Sequence, residues 1–421
     1  MTEGLPATDE VVVVGGGVVG GFCAWELARA GMPVTVLEQN RFGGACSYGN
    51  CGYVSPSHLL PLAQPGVIAN TLRAMLKTNS PFAIRPGWSW QSISWFWRFM
   101  RSCNQRHMMA SASGLHALLQ SSKSIYQQLV HEGSLDCQWS EKGILFVFER
   151  QRDFEAFAAT ERLVRENFGV AADAYPRQKL LAMEPSLKPV VAGAWHYPGD
   201  CHLCPDRLMK SLRNQLEAAG VKIVEGVRVN RIIQSNGGIQ AVQTDRGPWN
   251  ASQFVFATGA WTDLLGRGLG CSIPIQPGKG YSITIPPTSK MPRIPIIFED
   301  THVAVTPFED RFRIGSTMEF VGYDESIRPK RINLLRDSAR RYLHVDWRES
   351  DEEPWYGWRP MTWDSKPLIG RIPQASNAWI CAGHGMLGIS SAPASGRLIR
   401  ELILGEMPHL APEWYSIARM L

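Results

Sequence analysis

The sequence has no basic run, no uninterrupted apolar stretch of membrane-spanning length and no even set of cysteines, and each absence removes a class of protein. Its 421 residues carry 43 Lys and Arg against 38 Asp and Glu. That small excess, read as spread along the chain, gives no electrostatic footprint for nucleic acid. The longest stretch without a charged side chain, residues 42–72, is broken by Gly, Pro and Asn, so no transmembrane span is expected. Residues 1–10 show neither a basic leader nor an apolar core. A secretory signal is therefore not expected, and the expected location is cytoplasmic. Nine cysteines is an odd number, which fits reduced, mostly buried thiols better than a disulfide framework. Low-complexity tracts are missing as well, so the chain reads as folded, and its length calls for two domains.

What is present begins at residue 10. EVVVV, GGGVVG, GFCAWELARAG and PVTVLE follow one another as strand, glycine turn, helix and strand, one complete βαβ unit. Gly15, Gly17 and Gly20 form G-x-G-x-x-G between strand and helix, where backbone without side chains can approach a pyrophosphate. Val18 and Val19 stand inside that turn, and Glu38, followed by Gln39, closes the second strand, where a carboxylate can accept ribose hydroxyls. The fingerprint predicts a dinucleotide without saying which one.

Residues from about 61 to 198 mix helical and aromatic-rich patterns with the short strand GILFVFE, and read as an inserted domain. An α/β pattern resumes at Pro205, which sits where a helix would start, and SQFVFATG ends on Gly259. Residues 273–320 are strand-rich, RINLLRDSARRYL reads as a helix, and the C-terminal part returns to strand and helix. The expected fold class is α/β, a Rossmann-type nucleotide-binding domain (9–60, 200–268, 352–421) with a discontinuous α+β substrate domain (61–199, 269–351).

Several segments occur in an order that resembles the D-amino-acid oxidase family of flavoenzymes, and within it most closely the bacterial D-amino-acid dehydrogenase catalytic subunits. They are SYGNCGYVSP at 47–56, then QPGV, GDCHLCPDRL, PGKGYSITIP, RFRIGSTMEF, WRPMTWDSKPLIG and CAGHGMLGISSAPASGRLI, which ends at residue 399. The resemblance implies FAD as the cofactor and a two-domain enzyme that moves a hydride from the carbon bearing nitrogen to flavin N5, leaving an imine for water to hydrolyse. It places Ser47 and Gly52 near the flavin and Val229 at its adenosine end. Gly383, His384, Gly385, Met386, Leu387 and Gly388, between a strand and the last helix, suit the flavin ring, where donors and a helix N-terminus stabilise the charge that arrives on reduction.

Arg359, the arginine of WRP, takes the substrate carboxylate in this resemblance, and a planar fork with two parallel donors fits that task. Tyr281, His302 and Tyr53 are candidates for closing the pocket. Tyr53 departs from the glutamine usual in the nearest dehydrogenases, which leaves the amino acid open: a D-amino acid or a cyclic secondary amine of the D-proline or hydroxyproline type. By the same resemblance the electrons pass to a quinone or another carrier. The rivals are an oxygen-using glycine or sarcosine-type oxidase and a non-catalytic flavin-bearing relay subunit. Cys201 and Cys204 make a lone C-x-x-C, too little for a metal site. The segment with Trp88, Trp90, Trp95, Trp97, Phe96 and Phe99 reads either as a helix buried on the inserted domain or as a surface for a membrane or partner.

Overall fold

The computed structural model describes residues 10–67, the backbone of 82–84, and 89–420 apart from 236 and 267; Trp88 lies outside these. The four valines of Val11–Val14 are all buried because both faces of the strand are covered: Val11 and Val13 pack on the helix side, and Val12 and Val14 on Ile232, Ile239 and Val242. They form the centre of a six-stranded sheet in the order Leu368–Arg371, Ala378–Ala382, Gln253–Phe256, Val11–Val14, Val34–Glu38 and Lys222–Glu225. All pairs are parallel except the two-strand edge 368–371/378–382. Helices Val18–Arg29 and Gly388–Leu404 cross over this sheet at short range. A Cβ on Gly396 would stand 2.6 Å from the backbone of Phe22, so only glycine lets the two helices meet there.

A second, mixed sheet runs Glu353–Met361, Gln276–Ile285, Phe312–Phe320, Val303–Pro307, Ile296–Phe298, Ile144–Phe148, Gly193–Tyr197 and Asp173–Pro176, with Phe82–Ile84 alongside Phe312–Phe320. Helix Pro329–Tyr342 packs against it through Ile332, Leu335, Ala339 and Tyr342. A small antiparallel meander, 229–250, forms its own ladder and packs Ile232, Ile239 and Val242 against Val12, Val14, Phe254 and Phe256 of the six-stranded sheet. The chain thus has the α/β architecture expected of a Rossmann-type FAD-binding unit joined to a substrate unit.

One strand sits elsewhere than the sequence pattern suggested. Glu353–Met361, which the reading of segments assigned to the nucleotide-binding unit, pairs along its length with Gln276–Ile285 at the edge of the mixed sheet. Alternation of apolar residues reveals a strand but not its neighbour; in the pairing Gly280 faces Gly357, and the space they leave is filled by the Arg359 and Trp355 side chains.

Candidate active site

The turn after the first strand has three glycines with different reasons to exist. Gly15 has φ +110, and a Cβ on it would lie 2.5 Å from the Ala257 carbonyl oxygen. A Cβ on Gly20 would lie 1.9 Å from the Gly15 carbonyl oxygen. Both are therefore demanded by the protein's own packing. Gly17 is not: its nearest neighbour to a Cβ is Ser47 Oγ at 3.6 Å, an ordinary contact. What requires a bare backbone at Gly17 is the space in front of it, a cleft of about 470 Å³ opening at the N-terminus of helix Val18–Arg29.

The cleft is lined at this turn by Gly15, Gly17, Val18, Val19 and Ser47. Ser47 Oγ accepts the Val18 N–H at 3.0 Å, a cap supplied from outside the helix. Glu38 and Gln39 line the cleft one strand further on. Glu38 accepts from Gly16 N at 2.7 Å through one oxygen and from Asn40 N at 2.9 Å through the other. Burial raises its pKa, and these backbone donors oppose the rise. Each oxygen keeps a lone pair for a ribose hydroxyl. Val227 N donates to the Glu38 carbonyl at 2.9 Å, which carries Arg228 and Val229 to that end of the cleft.

His384, Gly385, Gly388 and Ile389 line the opposite end, at the N-terminus of helix Gly388–Leu404, while Gly259 lines the cleft two residues beyond Ala257, the neighbour of Gly15. Burial pushes the His384 pKa down to about 3, so its ring is neutral. Ser395 gives its hydroxyl proton to the Ser391 carbonyl, so His384 Nε2–H must be the donor in the 3.0 Å contact with Ser395 Oγ. Gly383 (φ +82) and Gly52 (φ +75) are turn glycines behind the lining, and a Cβ on Gly52 would lie 2.0 Å from the Leu203 carbonyl. Gly20, Met386 and Leu387 likewise stand off the surface of the cleft.

Residues unmarked by the sequence complete the wall. Trp261, Tyr323 and Trp358 form an aromatic side, with Trp261 and Trp358 edge to face at 5.5 Å and the Tyr323 hydroxyl donating to the Ala260 carbonyl at 2.7 Å. Cys46 and Asn50 add a loop. The available sequence signals were weak: a tryptophan directly after ATGA, and the tryptophan preceding Arg359.

That loop, 46–51, joins the cleft to the mixed sheet. Arg313 is wholly buried and ties the loop down, donating to the Tyr48 and Asn50 carbonyls at 2.6 and 2.8 Å and to Thr284 Oγ1 at 3.0 Å. Its Nη2 makes no hydrogen bond but lies 3.5 Å from Asp206 Oδ2, so Arg313 already has a carboxylate of the protein as its partner, unlike Arg359. Cys51 lies over Gly315, where a Cβ would stand 2.6 Å from its sulfur. Beside it on the sheet, Arg359 extends over Gly280: a Cβ there would lie 2.5 Å from the guanidinium carbon.

Arg359 Nη1 donates to the Thr317 carbonyl at 2.6 Å. Among the described residues no carboxylate pairs with Arg359, and burial lowers its pKa while the neighbouring Cys46 and Cys51 oppose the change. The acceptor is held by a register shift in the pairing of Phe312–Phe320 with Gln276–Ile285, where Ser316 (φ +130) and Thr317 (φ +62) take left-handed backbone. A β-branched residue at positive φ is strained, and the strain turns a carbonyl toward Arg359. Exchanging Gly280 for alanine should displace the guanidinium and leave the fold intact, because only a flexible tip is in the way. We expect KM for the substrate to rise roughly tenfold with FAD content unchanged, as steady-state kinetics and absorbance would show.

The other pocket candidates lie as follows. Tyr53 donates to the Ile296 and Val305 carbonyls at 3.0 and 3.2 Å, so its hydroxyl is engaged by the sheet beside Cys51. Tyr281 projects to the helix side and donates to Glu319 at 2.7 Å within a buried cluster with Arg331; the structure does not bring it to Arg359. His302 (φ +52) occupies the exposed turn before Val303, whose partner in the ladder is Ser316. Cys201 and Cys204 are buried free thiols, and Cys204 stands at the N-cap position of helix Pro205–Ala218 without a side-chain hydrogen bond to it.

Comparison with known proteins bears on this arrangement. The family model described as DAO, FAD dependent oxidoreductase, matches residues 10–402. Among solved structures, the chain is similar to a glycine oxidase from Bacillus cereus ATCC 14579 (22% identity, 98% of this chain and 99% of that one, TM-score 0.76). It is similar to an L-proline dehydrogenase from P. horikoshii (22%, 99% and 98%, TM-score 0.74). It also resembles an L-alpha-glycerophosphate oxidase from Mycoplasma pneumoniae with FAD bound (17%, 96% and 97%, TM-score 0.70). At these identities the likeness is one of fold. The cleft fits FAD: bare backbone at a helix N-terminus for the pyrophosphate, a carboxylate for the ribose, and a second helix N-terminus at the far end. The chain belongs to the DAO family of FAD-dependent oxidoreductases, with FAD as its cofactor.

Proposed function

We propose that the chain oxidises the nitrogen-bearing carbon of an amino acid, a D-amino acid or a cyclic secondary amine of the D-proline or hydroxyproline type, to an imine that water hydrolyses. Arg359 carries the reading: a guanidinium without a carboxylate partner among the described residues, fixed by one backbone acceptor and joined to the cofactor cleft through loop 46–51. A desolvated arginine left so is complementary to a carboxylate. A relay subunit would have no use for it. Of the similar solved structures, the glycine oxidase and the L-proline dehydrogenase are named for substrates that pair a carboxylate with an amine, and the glycerophosphate oxidase is not.

In this proposal Gly15, Gly17, Val18, Val19, Glu38, Gln39, Ser47, Val229 and Gly259 hold the adenosine and pyrophosphate, and His384, Gly385 and Gly388 face the ring. Bound flavin supplies a two-electron acceptor. The protein's part is placement, because the groups beside Arg359 are poor bases: burial raises the Cys46 and Cys51 thiols, and the Tyr53 hydroxyl is committed. An amine bound neutral can release its hydride with help from its own lone pair, so orientation by Arg359 dominates. The electrons then pass to a quinone or another carrier.

The test is an anaerobic panel of D- and L-amino acids, cyclic amino acids, NADH and NADPH, read as bleaching near ~450 nm. A D- or cyclic amino acid should bleach the flavin and the nucleotides should not, since the sequence has a single dinucleotide fingerprint. Rapid bleaching by a nucleotide alone would contradict the proposal.

A further inference from the structure

Helix Trp90–Ser102 carries two apolar stripes, one turned to the protein and one to solvent, separated by polar residues. Its inner face buries Trp95, which packs with Met318 and Met361 and donates its indole N–H to the Met361 carbonyl at 3.1 Å. Its outer face displays Trp90 (84% exposed), Ile93 (38%), Trp97 (51%) and Met100 (48%). Their spacing of three, four and three residues places them on one narrow stripe. The guanidinium of Arg101 lies 4.6 Å from the Trp97 ring centroid, at the margin of that stripe. The helix contains no acidic residue.

The charge of the sequence on either side of it is also one-sided. From residue 39 to residue 131 the chain has eight Lys and Arg and no Asp or Glu, while the rest holds 35 basic against 38 acidic residues. The positive excess is therefore concentrated in the part of the chain that includes this helix, not spread evenly as a first reading of the composition suggested. The carboxylate in contact with the helix is Asp263, which accepts from Gln91 in its first turn. Its neighbour Leu264 is 62% exposed and lines the cofactor cleft.

We propose that this helix lies in the surface of an anionic lipid bilayer, with Trp90, Ile93, Trp97 and Met100 in the interface and Arg101 at the margin of the stripe on the headgroups. Indole rings beside basic side chains favour that boundary, and a stretch free of acids removes the repulsion that anionic lipid would otherwise meet. The stripe is one residue wide, which suits insertion between lipids better than the broad apolar patch a protein interface needs. Docking this way would bring the Leu264 rim of the cleft to the lipid surface. The inference does not depend on the identity of the substrate.

The test is co-sedimentation of the purified holoprotein with vesicles of phosphatidylcholine alone or mixed with phosphatidylglycerol. Binding should be at least ~10-fold stronger to the anionic vesicles and should weaken as salt is raised to about 0.5 M. Joint replacement of Trp90→Ser and Trp97→Ser should lower it at least ~10-fold with flavin absorbance unchanged. Absence of binding by the unaltered protein to anionic vesicles at low salt would overturn the proposal whatever the variant does. So would a self-association, seen by sedimentation velocity, that the paired substitution abolishes while vesicle binding persists.

Discussion

Gly17→Leu is expected to fold and to emerge from purification without its yellow colour. The protein offers no obstacle to a first side-chain carbon at this position, with Ser47 Oγ the nearest atom at 3.6 Å, so the strain falls on whatever occupies the cleft. A pyrophosphate on the helix N-terminus and a leucine side chain cannot share that space. A loss of at least ~100-fold in FAD affinity, about 2.7 kcal/mol, is expected from titration of the apoprotein. Gly20→Ala is the control with the opposite signature. Its added carbon would meet the Gly15 carbonyl at 1.9 Å, so thermal stability should fall before cofactor binding is considered. A yellow Gly17→Leu protein of normal FAD content would remove the cofactor from this turn.

Arg359→Lys is expected to keep its flavin and lose catalysis. The arginine does not line the cofactor cleft, whereas its neighbours Trp358 and Pro360 do, so absorbance should be normal. What the substitution removes is the fork. With one nitrogen held by Thr317, the guanidinium presents its remaining N–H groups in a fixed plane, which a lysine ammonium cannot reproduce. A fall of at least tenfold in kcat/KM is expected, equivalent to ~1.5 kcal/mol of transition-state stabilisation, with Arg359→Ala lower still. Wild-type efficiency in Arg359→Lys would place the carboxylate elsewhere. Arg313 could not serve, buried as it is beneath the Tyr48 and Asn50 carbonyls it supports.

The parts of this site that were legible in the sequence are the parts governed by local rules. Gly15 and Gly20, Glu38 and the run of four valines are fixed by the βαβ unit itself, where short-range geometry decides which residue can stand at each position. The placement of Glu353–Met361 was not legible, because its apolar pattern is compatible with either sheet, and Gly280 shows itself as the residue that admits the Arg359 side chain only once the two strands are paired. Tyr281 shows the same limit from the other side. Its strand was evident, but which face carries it depends on registers set in three dimensions, and there it meets Glu319 instead of the pocket. The aromatic wall of Trp261, Tyr323 and Trp358 gathers from three separated segments, and no pattern within any one of them forecasts the assembly.

The central claim is that a carboxylate on Arg359 aims a nitrogen-bearing carbon at the flavin. It is tested most directly by anaerobic stopped-flow reduction of the wild-type flavin with the best amino acid from the panel, set against the same amine lacking its carboxylate. The account predicts bleaching by the amino acid and a rate constant per molar at least ~10-fold lower for the decarboxylated amine, a gap that Arg359→Lys should narrow. Equal rates for the two compounds in the wild-type protein would contradict it.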